Sequence, residues 1–353
     1  MSKIGIFSRS YEEPNILEWI DYHFNIGFDY IFIYDDIDEN EKKISNNEFL
    51  KKNNFYNNHL VLFKNDIGIP EKFNLKKDFL NSGMFFSIMI NRIRDMKLDL
   101  GYLLNMDIDE YLFIKDHNNI KDFISSNDFN NVDYMYIPWL FFGNSGRMKF
   151  DGNKYLPNFT YSSIELRPFG KSLFKFNDNL KSSNCHNPFF YKENKVLDFY
   201  GNKHDNFTKL KESLTSKNLH YKNANIYLAH YHNIGTKNSF DRRFYPNSHY
   251  ICRFLRQNEY KKPEEFLKFY KEIHDKDYNK WIEHLHYEEF DSLEKLFNSY
   301  ESTMAIKCIF NPLKHFFSLT GLSVCNNLNN DLLDLYKKNK QKNFNLKNSP
   351  NNS

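Results

Sequence analysis

Residues Tyr102–Ile114, YLLNMDIDEYLFI, decide how the chain is read. An apolar run from Tyr102 to Met106 ends in three carboxylates, Asp107, Asp109 and Glu110, and apolar residues then resume. A buried strand that finishes in acids places negative charge at the carboxyl end of a sheet, where open α/β sheets bind their ligands. Carboxylates crowded there repel one another unless a cation or hydrogen-bond donors join them. If the backbone stays extended, Asp107 and Asp109 point the same way and offer two hard oxygen ligands to one divalent ion. The plainer alternative is a solvated turn, since an Asp-x-Asp triplet also arises by chance in a chain with 26% charged residues.

Toward the N-terminus, Lys3–Ser8 reads as a short first strand. Polar start signals at Ser10–Glu13 and Pro14 introduce a helix with Ile16, Leu17, Ile20 and Phe24 at helical spacing, and Gly27 stops it. Phe28–Tyr34 follows as a strand apolar on both faces apart from Asp29, and it ends in Asp35 and Asp36. This is a β-α-β unit with acids at the strand's carboxyl end. No Gly-x-Gly-x-x-Gly follows the first strand, which argues against an ordinary dinucleotide fold. A polar helix around Glu48, a strand at His59–Phe63 and a long amphipathic helix over Phe73–Lys97 lead to Gly101–Met106 as the next parallel strand. Strands alternating with helices predict a doubly wound half over 1–115.

Beyond it, Tyr134–Trp139, Lys171–Phe176, Val196–Phe199 and Ile226–His232 are strand-like, with Gly, Asn and Pro turns between them and no clear helix before about Ser239. That pattern predicts a mixed or antiparallel second half, 116–240, continuous with the first. From Phe240 the apolar spacing becomes helical, predicting an extension over 241–336, and the Lys/Asn/Ser-rich end, 337–353, reads as disordered.

The chain has 353 residues, 41% hydrophobic and 18% aromatic, enough for a large core. A formal charge of +3 is too mild for the concentrated basic footprint of a nucleic-acid binder. Cys185, Cys252, Cys308 and Cys325 lie too far apart for a zinc spacing or a dense disulfide framework. The N-terminus lacks the apolar region of a signal peptide and no stretch is long enough to span a bilayer, so the expected setting is soluble and cytoplasmic. Ile306–Val324 is amphipathic and could lie on a membrane surface, though a helical hairpin broken at Pro312 explains it as well.

Five segments in order resemble a known group of enzymes. Ser8–Asp36 (SRSYEEPNILEWIDYHFNIGFDYIFIYDD), Leu103–Ile114, Pro138–Gly146 (PWLFFGNSG), Lys171–Lys175 (KSLFK) and Leu228–Asn233 (LAHYHN) are similar to motifs of GT-A fold glycosyltransferases of the family-2-like and family-92 type. The likeness covers about Lys3–Phe244. Arg9–Ser10, Asp36 and Ala229 depart from the group's usual residues. The resemblance implies a Rossmann-like GT-A core with a mixed sheet, a nucleotide-sugar donor (UDP-linked by expectation), a carbohydrate or glycoconjugate acceptor, and Mn²⁺ or Mg²⁺. A departing diphosphate gathers negative charge, which a cation on carboxylates can stabilise.

On this resemblance Asp109 is assigned to the metal, Asp107 to metal or donor ribose, and His230 to a third metal position. Asp35, with Asp36, is expected at the uracil or ribose. Arg9 and Glu12 could line the nucleotide pocket, though a salt-bridged surface loop would explain them equally well; Lys171 and Arg167 could pair with phosphate, or be plain exposed cations of the sheet. Gly143 and Asn144 could approach donor sugar or acceptor; a plain turn would serve too. Inverting transfer needs a base for the acceptor hydroxyl, and Glu165, Glu110 and His186 are the candidates. Two other readings remain: a sugar-nucleotide-binding or structural relative without activity, and a phosphatase with an aspartyl nucleophile. The phosphatase would want Thr or Val where Tyr111 stands.

Overall fold

A computed structural model describes residues 2–10, 13–36, 47, 50, 54–64, 66–68, 70, 79–80, 82–126, 129–143, 152–192, 194–215, 219–231 and 327–347, the side chains of 130, 168, 327 and 341–347 excepted. The first half is the parallel, helix-alternating arrangement that its apolar runs require. Strands β1 (Lys3–Ser10), β2 (Tyr30–Asp35), β3 (Leu60–Phe63) and β4 (Leu100–Asn105) lie parallel in the order β3-β2-β1-β4. Helix α1 (Ile16–Asn25) follows β1, α2 (Asn54–His59) precedes β3, and α3 (Gly83–Asp95) precedes β4. Ile4–Ser8 and Ile31–Asp35 are buried at successive positions, so the sheet centre is covered on both faces. On the α3 side, the Phe7 ring meets Phe85 and Phe86 at 6.1 and 5.8 Å. Each such ring contributes roughly 1.5–3 kcal/mol through burial.

Placing β4 beside β1, opposite β2, reverses the strand order between them. The carboxyl ends of β1 and β4 are therefore the topological switch point, the crevice where open α/β sheets take ligands.

The second half extends the same sheet with mixed directions. Strand β5 (Glu110–Ile114), helix α4 (Ile120–Ser126) and strands β6 (Tyr134–Phe141), β7 (Tyr161–Ser162) and β8 (Arg167–Lys175) come first. A hairpin, β9 (Leu180–Ser183) with β10 (Pro188–Phe190), is followed by β11 (Val196–Leu197), β12 (Lys203–His204), α5 (Phe207–Thr215) and β13 (Ile226–His230). Strand β8 runs antiparallel between β4 and β6. The start of β6 pairs with β11 and its end with β13, which carries β5 antiparallel on its other side. The result is a mixed sheet of ten strands, an α/β architecture compatible with a Rossmann-like fold. Among the described residues no helix is long and apolar enough to cross a membrane.

After a stretch outside the described residues, β14 (Asn327–Leu328) pairs with β7, and α6 (Asp331–Lys347) lies against α1. The Tyr336 hydroxyl donates to Asp21 Oδ2 of α1 at 2.6 Å, and its ring stacks on Tyr22 with centroids 6.0 Å apart. Tyr336→Phe is expected to cost about 1.5 kcal/mol, the usual worth of a hydrogen bond to a charged group. For a chain of this length that corresponds to a fall in Tm of roughly 2 °C by calorimetry; an unchanged Tm would show that α6 is not docked through this bond.

Several expectations are corrected. The tail 337–353 is helical as far as Lys347, because Leu332, Leu335 and Asn339 are buried. The helix expected over Phe73–Lys97 is interrupted at Ser82: Phe79 and Leu80 are helical, but Ser82 is extended (φ −80°, ψ 153°), its Oγ accepts from Phe85 N, and α3 begins at Gly83. Residues 71–78 and most of the polar segment around Glu48 lie outside the described residues. Helices α4 and α5 occupy a region read as lacking helices; Leu210 and Leu214, four apart and buried, anchor α5. His59 ends α2 and does not open β3. Of the helical extension 241–336, only β14 and the start of α6 are described.

Candidate functional site

Helix α1 presents five polar-tipped side chains on one face, Asn15, Glu18, Trp19, Tyr22 and His23, at the i, i+3, i+4, i+7, i+8 spacing of a single stripe. All five are buried, and most of their polar atoms meet the backbone after β4. Asn15 Nδ2 donates to Ile108 O at 2.8 Å, Trp19 Nε1 to Glu110 O at 2.7 Å and Tyr22 Oη to Leu112 O at 2.7 Å. Asn15 stands where an N-cap belongs, yet its side chain caps nothing and serves this turn. Glu18 Oε2 accepts from Tyr111 Oη at 3.1 Å and from Tyr155 N at 2.5 Å, tying the segment after Gly143 to the same helix. Burial raises the Glu18 carboxyl above the ordinary range against the pull of those donors.

His23 completes the stripe. Its Nδ1 lies 2.8 Å from Trp19 O, and Leu112 N donates to its Nε2 at 3.4 Å, so the ring is neutral with the proton on Nδ1. Burial pulls its pKa down to about 3 from 6.5. Below pH 6.5 the unfolded chain binds a proton on this ring that the folded protein refuses until about pH 3. The stability His23 contributes is thus complete above pH 6.5 and falls by about 1.4 kcal/mol per pH unit as acid is added. Between pH 6.5 and pH 5 the wild type is expected to lose about 2 kcal/mol more than His23→Gln in urea unfolding. Equal losses would mean that the ring is not held neutral.

So held, the acidic segment is not extended. Glu110 N donates to Asp107 O at 3.1 Å, closing a turn over Asp107–Glu110, and Glu110 Oε2 accepts from Asp107 N at 3.0 Å. The extended geometry that would point Asp107 and Asp109 to one side is therefore absent. Asp107 is about half exposed (55%) and Asp109 is buried. Asp107 Oδ2 accepts from Lys171 Nζ of β8 at 2.8 Å, and that lysine is only 1% exposed. Burial works to raise the Asp107 carboxyl, but Lys171, helped by Arg9, holds it below the ordinary carboxylate range. For Lys171 burial works downward, and Asp107 with Glu110 raises it above the ordinary lysine value. Glu110 is fully buried, and Trp139 Nε1 donates to its Oε1 at 2.8 Å, so each oxygen has a protein donor. Burial, then the carboxylates of Asp107 and Asp109, push it well above the ordinary range despite Lys171.

Strand β13 brings His230 to the turn, where it pairs with Glu110 across the strands, and Tyr231 N donates to Asp109 O at 2.8 Å. His230 Nε2 lies 3.6 Å from Asp109 Oδ1, too far for a hydrogen bond. The His230 ring sits 4.9 Å from Trp139 and 5.4 Å from Phe141. Across Trp139, His186 lies at 5.6 Å, on the loop of the β9–β10 hairpin. Asn105 Nδ2 holds that loop through Asn184 O at 2.9 Å, and Ser172 Oγ through His186 O at 2.9 Å. His186 Nδ1 faces Gly170 O at 2.9 Å; a carbonyl only accepts, so Nδ1 carries the proton and Nε2 the lone pair. Burial, then Lys171, lowers its pKa, which keeps the ring neutral at pH 7.

The structure thus gathers Asp107, Asp109, Glu110, Lys171, His186 and His230, with Arg9 at the end of β1 near enough to act on Asp107. Asp35 and Asp36 are buried at the end of β2; Asp36 N donates to Ser10 O at 2.9 Å, beside the same switch point. Gly143 is buried and donates to Tyr161 O at 2.9 Å. Glu12 and Asn144 lie outside the described residues, as does His232. Glu165 is exposed and bridges His220, taking no part in this network among the described residues. Arg167 stacks over Phe141 at 5.6 Å. Sequence reasoning missed Asn15, Trp19, Tyr22 and Trp139; the available signal was a run of polar tips on the buried stripe of α1.

Fold and site define an open α/β sheet protein with an acidic turn, a buried lysine and two histidines at its switch point. The sequence matches no protein-family model and no curated protein. Among the described residues no group of three or more His, Cys, Asp or Glu side chains is gathered that could hold a metal ion, so the expected set Asp107, Asp109 and His230 is not assembled as such. The physical reason is Lys171, which takes Asp107. The pair that remains, Asp109 beside His230, offers oxygen and nitrogen donors that suit Mn²⁺ better than Mg²⁺, with a ligand's oxygens to complete the shell.

Proposed function

We propose that the chain is a metal-dependent, inverting glycosyltransferase with a GT-A core, moving a hexose from a UDP-sugar to a carbohydrate or glycoconjugate acceptor. The observation that carries this reading is the acidic turn Asp107–Glu110 at the carboxyl ends of β1 and β4, with His230 and Lys171 converging on it. A nucleotide would meet Asp35 and Asp36 in the same crevice, where β2 delivers them beside Ser10. Asp109 and His230 would hold Mn²⁺, which when bound supplies positive charge to the departing diphosphate. Lys171 and Arg9 add fixed positive charge for the same oxygens. Asp35 and Asp36 accept hydrogen bonds from ribose or base.

Among the base candidates, Glu110 has both oxygens engaged and Glu165 lies outside the network. His186 is neutral with Nε2 as its acceptor nitrogen, so it is the residue to take the acceptor's proton. The second reading, a sugar-nucleotide-binding protein without turnover, draws on the same cluster and on the engagement of Asp107 by Lys171. A phosphatase would carry its nucleophile on the first strand, whereas Asp107 follows the fourth.

The test is incubation with UDP-sugars with and without Mn²⁺, following UDP. Metal-dependent release supports transfer. Phosphate release from simple esters supports the phosphatase, and binding of UDP with neither release supports the binding protein.

A further inference from the structure

We propose that Phe169 and Phe189 form a stacking platform for a neutral hexose ring of the acceptor, bordering His186 from two strands. This rests on the glycosyltransferase reading above and narrows the acceptor to a sugar ring, bound independently of the donor. Strand β8 carries a bulge beside the site. Gly170 stands opposite Pro138 of β6 and Arg167 opposite Trp139, so Pro168 and Phe169 have no partner on that strand. On its other edge β8 pairs with β4 only at Leu173, Phe174 and Lys175. Phe169 is thus put out of the ladder, and it is 65% exposed. Bulges next to active sites commonly re-aim a side chain in this way. The next residue, Gly170, holds His186 Nδ1 through its carbonyl at 2.9 Å. The second ring comes from β10. Phe190 stacks on Tyr134 with centroids 6.0 Å apart, so alternation leaves Phe189 on the outer face, 45% exposed and three residues after His186.

A single exposed ring needs no explanation. Two beside one histidine do, and among the described residues neither meets another aromatic ring. Their surroundings choose the occupant. Around the tip of the β9–β10 hairpin stand the hydroxyl of Ser182 and the amides of Asn184 and Asn187, and the stretch 180–192 holds no carboxylate. A membrane surface calls for a cluster of cations, whereas the lysines of this stretch, Lys181 and Lys192, lie toward the far end of the hairpin, where Lys192 N donates to Asn179 Oδ1. A hexose ring has both parts that such a surface matches. Its C–H face is attracted to the electron-rich face of an aromatic ring, and its hydroxyl rim suits the polar groups. A ring seated on Phe169 and Phe189 presents those hydroxyls to His186, whose Nε2 carries the lone pair.

The experiment is saturation-transfer NMR of the full chain with maltose, cellobiose, lactose and methyl α-mannoside, with neither nucleotide nor metal present. At least one is expected to bind with saturation concentrated on the C–H protons of a single ring. Phe169→Ala should weaken that binding at least about fivefold, and Phe189→Ala should weaken it in the same direction. Phe169→Tyr keeps the ring and should restore wild-type affinity. Binding of none of the four, or binding that either alanine variant leaves unchanged, overturns the inference. Flotation with phosphatidylcholine vesicles that is lost in Phe169→Ala, without saccharide binding, overturns it in favour of a membrane surface. UDP release, assayed as above, separates this inference from the reading beneath it. Saccharide binding through Phe169 without release supports the platform and overturns turnover; release with saccharide binding indifferent to both variants overturns the platform alone. Thermal unfolding checks the fold, and each alanine variant tests the platform without the other.

Discussion

Asp109→Ala is expected to lower Mn²⁺-dependent release of UDP from a UDP-sugar about 100- to 1000-fold while leaving the fold intact. On the proposed reading the activity would fall because the carboxylate 3.6 Å from His230 Nε2 would be the one to hold the cation, the other acids of the turn being engaged elsewhere. Asp107 is engaged by Lys171, and Glu110 by Trp139 and Asp107 N. The fold survives because the main-chain contacts of the turn do not need the Asp109 side chain. Tyr231 N still meets Asp109 O, and Asn15 and Trp19 still hold the carbonyls on either side. Near-normal turnover in the variant, with wild-type thermal unfolding, would remove Asp109 from the metal and the glycosyltransferase assignment with it.

Gly170→Ala is expected to have the largest effect on stability. A Cβ at this position would lie 1.9 Å from Ile137 O and 2.8 Å from Ile137 C and Pro138 Cα, all of them backbone. No rotamer relieves such a clash, so strands β6 and β8 must separate where Pro138 opposes Gly170. The cost belongs to the exceptional class, about 4 kcal/mol or more, which for a chain of this length corresponds to a fall in Tm of roughly 5 °C or more. The site is damaged as well, since Gly170 O holds His186 and Lys171 is the next residue. Circular dichroism melting decides the matter: an unchanged Tm would mean that the two strands do not approach so closely.

Much of the first half was legible because period and punctuation agree there. The apolar run in β2 and the Gly27 stop after α1 each signal locally; Gly27 takes φ 101°, and Phe28 N returns to His23 O at 3.2 Å. The acids after β4 were legible for the same reason. Their geometry was not. An expectation built on an extended Asp107–Asp109 failed because Glu110 folds back onto Asp107 N, held there also by Trp139 from 29 residues away in sequence. In the second half β6, β8, β11 and β13 were legible, but β7, β9, β10 and β12 were not, because they are two to four residues long, too short for an alternation pattern to show. The part of α6 from Lys337 onward was hidden by its composition: lysine and asparagine read as a disordered tail, whereas the helix continues to Lys347 with Asn339 buried and α6 lying against α1.

By itself the amino-acid sequence determined the local matters: which of the longer apolar runs are strands, where α1 starts and stops, and that carboxylates stand at the end of β4. These depend on residues within a few positions of one another. Only the tertiary structure decided what surrounds each acid. Asp107, Asp109 and Glu110 are chemically similar in sequence, and each receives its role from a partner brought by another strand: Lys171 by β8, His230 by β13 and Trp139 by β6. Burial and charge act through space, so three neighbouring carboxylates acquire three different environments that spacing along the chain does not encode.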